Sequence, residues 1–154
     1  MSTVDDYTLT KNKIDNQLIT VEQGQVTVHL FLYSNYSKTN SYNIDKRIHL
    51  VEQISGIKRY LVFKENIVSS PNLIHVPAGY YLQCILVFDG LSKNCNIFSI
   101  LEPCIKGRKP FNAVTIPRTK NDIYYWFIDA MGRSWIFQDD TKIKMILRIA
   151  KAFK

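Results

Sequence analysis

QVTVHLFLY, residues 25–33, alternates without a break. Val26, Val28, Leu30 and Leu32 fall on one side, and Thr27, His29, Phe31 and Tyr33 on the other. A period of two sustained over this length describes a strand with two unlike faces, because successive side chains in extended backbone point to opposite sides. The same signal recurs outward along the chain. RIHLVEQI (47–54) and IKRYLVF (57–63) flank Ser55-Gly56, and YYLQCILVF (80–88) runs into the turn dipeptide Asp89-Gly90. CNIFSIL (95–101) and AVTIP (113–117) follow, separated by a loop rich in Gly, Pro and basic residues. Short strands with turn residues at intervals near ten predict an all-β fold, a single-domain antiparallel β-sandwich or barrel-like sheet pair over residues 1–154.

Three segments depart from this pattern. Residues 1–20 alternate weakly and are expected to form an arm or first strand. SNYSKTNSYN, 34–43, is polar and reads as a mobile loop. At the other end, DDTKIKMILRIAKAFK places Ile143, Ile146, Leu147 and Ala150 at helical spacing, with Lys144, Arg148 and Lys151 elsewhere on the wheel. That spacing predicts a short basic amphipathic helix over 141–153, with Asp140 or Thr141 at its start. Ile143, Met145, Leu147 and Ile149 also alternate, so a strand is the rival expectation.

Both tryptophans lie in NDIYYWFIDAMGRSWIF, 121–137. A hairpin turning at Asp129–Gly132 would pair Ile128 with Arg133, Trp126 with Trp135 and Tyr124 with Phe137 on one face. Cross-strand aromatic pairs stabilise a sheet by about 0.2–1 kcal/mol each, so the cluster reads first as core or subunit contact. Exposed aromatics beside cations also stack nucleobases. Trp126, Trp135 and Tyr124, flanked by Arg118, Lys120 and Arg133, are therefore the candidate stacking residues.

Charge is segregated. Of the formal +7, residues 1–102 contribute nothing, while residues 103–154 hold eleven basic and four acidic side chains. A field of that sign favours phosphate, on nucleic acid or on an acidic membrane. IKGRKPF, 105–111, packs Lys106, Arg108 and Lys109 around Gly107, and Lys144, Arg148 and Lys151 supply a second basic segment. With Arg118, Lys120 and Arg133 they make nine candidate polyanion contacts. Contacts of this kind confer affinity with little sequence specificity.

Chemistry is harder to find. Cys84, Cys95 and Cys104 lack the short paired spacings of a zinc site, and their odd number argues against a disulfide framework. Cys104, ahead of KGRK, is the best-placed reactive thiol. His29, His49 and His75 with a lysine are the residue types of a ribonuclease-like acid–base set. No nucleophile elbow, phosphate-binding Gly-rich loop, zinc-protease pair or dinucleotide fingerprint is present. The opening MSTVDDYTLT has no basic and apolar signal pattern and no apolar run reaches bilayer length, which predicts an intracellular protein without cofactor. The expected role is a small, basic, non-enzymatic nucleic-acid or nucleoprotein binder, possible partners including a viral or host protein. The first alternative is a self-associating viral matrix or coat-like protein lying against an acidic membrane, and the second is a ribonuclease-like enzyme.

Overall fold

A computed structural model describes residues 24–35, 37–104 and 106–153; the expected amino-terminal arm at 1–20 lies outside them. Alternation is realised directly in β1 (Val26–Tyr33), where Val26, Val28, Leu30 and Leu32 are fully buried. The chain continues through β2 (Asn40–Tyr42), β3 (His49–Glu52), β4 (Lys58–Glu65), β5 (Ile74–Val76), β6 (Tyr80–Phe88), β7 (Ile97–Leu101) and β8 (Asn112–Pro117). Then come β9 (Ile123–Ile128), β10 (Ser134–Phe137), α1 (Thr141–Leu147) and β11 (Lys151–Ala152). Nine strands form one sheet, eight of them in the order β10-β9-β1-β6-β4-β3-β7-β8 and β11 pairing with β6 off this path, and β2 pairs with β5 in a separate small sheet.

The eight-strand path curls into a nearly closed barrel in a single domain. Its edge strands meet through side chains: Ser134 Oγ donates to Asn112 O at 3.0 Å and Gln138 Nε2 to Pro117 O at 3.4 Å. Register breaks between Leu61 and Phe63 in β4, and between Phe98 and Ile100 in β7, supply irregularities of the kind that bend a sheet. Inside lie Leu82, Cys84, Leu86 and Phe88 of β6, Tyr124, Trp126 and Ile128 of β9, and Phe98 and Ile100 of β7. The small sheet adds Tyr42 and Val76 to this core, so the segment expected to be a mobile loop at 34–43 contributes a strand. The ladders along the barrel are antiparallel except β1–β9, which is parallel.

The aromatic hairpin slips by one residue from its expected register. Ile128 pairs with Ser134, Phe127 with Trp135, Trp126 with Ile136 and Tyr125 with Phe137. The cause is a five-residue turn: Asp129 Oδ1 accepts from Met131 N at 3.0 Å and Arg133 N at 2.9 Å, with Gly132 at φ 80°. A one-residue slip exchanges the faces of a strand. Trp126 therefore enters the barrel, while Trp135 lies outside, 44% exposed.

The carboxy-terminal helix is shorter than its expected 141–153. It ends at Leu147, and the chain then extends along β6, Lys151 N donating to Gly79 O and Phe153 N to Tyr81 O. Strand pairing thus claims the last residues. Asp140 takes the N-cap position without a side-chain bond; Asp139 Oδ1 instead accepts from Thr141 N at 3.0 Å. Ile143 and Leu147 dock on the outer face of the sheet against Phe31 and Phe127, forming a second, smaller core.

Candidate anion-binding surface

Strands β1, β4, β7 and β9 finish at one end of the barrel, where the connections 34–48, 66–79, 102–111 and 129–133 gather. A buried carboxylate organises this end. Glu102, just past β7, accepts from Asp45 N at 2.7 Å and Phe111 N at 2.8 Å, and from Arg108 Nη1 and Nη2 at 2.8 and 2.7 Å. Each carboxylate oxygen thus takes two hydrogen bonds.

Arg108 is committed inward by this arrangement. Besides Glu102, it donates to Asn43 Oδ1, Asn43 O and Lys109 O, and its guanidinium lies 4.1 Å from the Phe111 ring centre. An arginine has five N–H donors, and all five are used. It holds the turn at 45–48 against the loop at 102–111 and has no donor left for a phosphate. Lys106 and Lys109, on the same loop, are exposed and make no ion pair among the described residues.

Fastening Asp45 to Glu102 brings Lys46 and Arg47 to the same place. Both are exposed, Arg47 pairing with Asp45 at 2.8 Å. The residue sequence hid them, since they lie in the electroneutral part of the chain. Arg133, at the hairpin tip, belongs to this end because Ser134 bonds Asn112. It pairs with Asp129 at 2.8 Å and lies 5.8 Å from the Trp135 ring centre. Lys151 sits beside the start of β6, its Nζ 6.0 Å from the Tyr80 ring centre. Asp45, Glu102 and Asp129 are each taken by an arginine, whereas Glu65, at the end of β4, is exposed and forms no ion pair among the described residues.

The other candidates lie elsewhere. Arg118 and Lys120 follow β8 at the opposite end. Arg118 spends four donors, two on Asp122 at 3.0 Å each and two on Ser92 O and Cys95 O, and serves as an internal strut; Lys120 is exposed. Lys144 and Arg148 ride on and just after α1, exposed, with Lys144 paired to Asp140 at 3.0 Å. Of the stacking candidates, Trp126 and Tyr124 are fully buried. Tyr124 packs edge-on against Phe98 at 5.1 Å and its hydroxyl, donating to Asp122 and accepting from Thr119 N, is pushed up mainly by burial. Only Trp135 reaches solvent.

The histidines make separate contacts: His29 stacks on Tyr125, His49 Nδ1 lies 2.9 Å from Arg47 O, and His75 Nδ1 lies 2.6 Å from Ser41 Oγ. Burial pushes the Cys84 thiol up to about 12, and Cys104 is exposed. Among the described residues no cluster of His, Cys, Asp and Glu could hold a metal ion, and no helix is long and apolar enough to cross a membrane. No family model, curated protein or solved structure matches the chain.

Proposed function

We propose that the protein is a non-enzymatic binding module that engages nucleic acid through phosphate contacts from the lysine-bearing end of its barrel. The observation that supports this is the Glu102–Arg108 node. It locks the two loops carrying Lys46, Lys106 and Lys109 side by side, neutralises its own buried charge, and leaves those ammonium groups exposed. Arg47, Arg133 and Lys151 sit at the margins, and half-exposed Trp135 offers one ring beside Arg133. Lysines act as point charges on phosphate and favour affinity over sequence readout.

The test is fluorescence anisotropy with single-stranded RNA and duplex DNA of several sequences. Lys46→Ala, Lys106→Ala and Lys109→Ala together should weaken binding similarly for all sequences. The salt slope should fall by about 0.7–0.9 for each phosphate that the variant no longer neutralises. Unchanged affinity and slope would remove this end from the site.

A second function has its own support. The outward side of α1 and the residues after it expose Met145, Ile146 and Ile149 among Lys142, Lys144 and Arg148. Apolar side chains interspersed with cations suit the surface of an acidic membrane. Flotation with vesicles containing phosphatidylserine, lost in Met145→Ser/Ile146→Ser without loss of RNA affinity, would establish that role beside or in place of the first.

A further inference from the structure

The α1 region does not close completely on the barrel. A cleft of about 440 Å³ opens between α1 and the outer faces of β1, β6 and β9. Its volume falls within the range of small-molecule sites, which are concave, largely apolar and furnished with a few convergent polar groups. Phe31, Ile143 and Leu147 form the apolar floor, and the stacked rings of His29 and Tyr125, 5.1 Å apart and 10° from parallel, stand as one wall.

Three polar groups on this lining have capacity to spare. His29 Nδ1 is enclosed without a hydrogen-bond partner. Burial holds the His29 imidazole below its ordinary range, against the opposing pull of Asp140, so the ring is neutral at pH 7. An enclosed nitrogen without an acceptor is less costly as a lone pair than as a stranded N–H, which leaves Nε2–H as the ring's donor. Gln83 projects outward from the middle of β6, exposed, with an amide that both donates and accepts. Arg148 is exposed at the rim and forms no ion pair among the described residues, whereas neighbouring Lys144 is already paired with Asp140.

We infer that this cleft binds a planar heteroaromatic ring carrying a phosphate, the chemistry of a nucleoside monophosphate. The ring lies on the apolar floor beside the His29–Tyr125 stack, the Gln83 amide meets its polar edge, and the Arg148 fork takes the phosphate. An unsubstituted hydrocarbon leaves Gln83 and Arg148 unused, and a bare phosphate leaves the aromatic lining unused. The site is separate from the lysine-bearing end of the barrel, so the two can fail independently.

The experiment is an NMR titration of the full chain, following the Gln83 side-chain amide, the His29 ring and the Tyr125 amide. The probes are AMP, UMP, phenyl phosphate and inorganic phosphate. Saturable shifts of these three groups with AMP or UMP are expected, weaker with phenyl phosphate and absent with inorganic phosphate. Arg148→Ala should weaken the nucleotide about tenfold, the effect of removing one charge-assisted hydrogen bond. Gln83→Ala, at an exposed position that leaves the fold intact, should weaken it as well, and Lys106→Ala/Lys109→Ala should leave it unchanged. Absence of shifts at millimolar nucleotide would overturn the inference. So would equal shifts with inorganic phosphate, or shifts confined to the lysine-bearing end.

Discussion

Replacing Arg108 with alanine isolates the node on which the proposed surface depends. The guanidinium side chain is 21% exposed and that of Glu102 is 0% exposed. The substitution removes two charge-assisted hydrogen bonds to the carboxylate and three to Asn43 and Lys109. It leaves a buried negative charge with two backbone N–H partners, Asp45 and Phe111. Breaking one side of a buried ion pair costs about 3–5 kcal/mol, chiefly because the remaining charge is uncompensated. For a chain of this size that corresponds to a fall in Tm of roughly 10 °C. Lys106→Ala and Lys109→Ala, at exposed side chains, should each change stability by no more than about 0.5 kcal/mol. Urea denaturation followed by tryptophan emission measures all three. The double replacement Glu102→Leu/Arg108→Leu should recover part of the stability but not all, since the Asp45 and Phe111 N–H groups are then left without an acceptor. A cost below about 1 kcal/mol for Arg108→Ala, equal to that of the lysine variants, would refute an inward-committed arginine.

Trp126→Ala should cost on the order of 3–5 kcal/mol as a core truncation, and Trp135→Ala distinctly less, because Trp135 is 44% exposed; equal costs would contradict the slipped hairpin register. Stability should fall on acidification in two stages. Burial lowers the His29 pKa from its ordinary 6.5, so below that value the unfolded chain takes up a proton that the native ring resists. For Glu52, burial raises the pKa, but hydrogen bonds from Ser92 and Arg59 outweigh it and the net shift is downward from 4.5; its contribution is lost as pH falls below that value, Asp89, raised by burial, opposing in part. His29→Gln should flatten the first stage, and a stability that rises between pH 7 and 5 would contradict the sign. Maleimide labelling of the native protein should modify exposed Cys104 first and Cys84, fully buried and pushed up to about 12, only after denaturation.

The strands were legible because alternation is local: β1, β6 and β9 coincide closely with the periodic segments, and each turns alternate side chains into the barrel. Their partners were not. β1 pairs in parallel with β9 across most of the chain, and no turn dipeptide encodes such a pairing. Two competitions between local signals also went unseen. The Asp129 side chain lengthened the hairpin turn by one residue, and pairing with β6 took the end of the expected helix. At the candidate surface, residue type pointed to IKGRKPF as a cluster of cations, but Arg108 and Lys106 look alike in a sequence. What separates them is Glu102, six residues before Arg108, buried and bonded by Asp45 N from the distant turn at 45–48. That same long-range fastening delivers Lys46 and Arg47, which composition averages over the first two-thirds of the chain had cancelled.

The most direct measurement is the salt dependence of RNA affinity for the wild-type chain beside Lys46→Ala/Lys106→Ala/Lys109→Ala, with phosphatidylserine vesicle flotation of both proteins in parallel. A linear log–log dependence whose slope is shallower by about 2–3 in the variant, with flotation unaffected by the three substitutions, is the predicted result. Absence of RNA binding by the wild-type chain at low salt would contradict the proposed function.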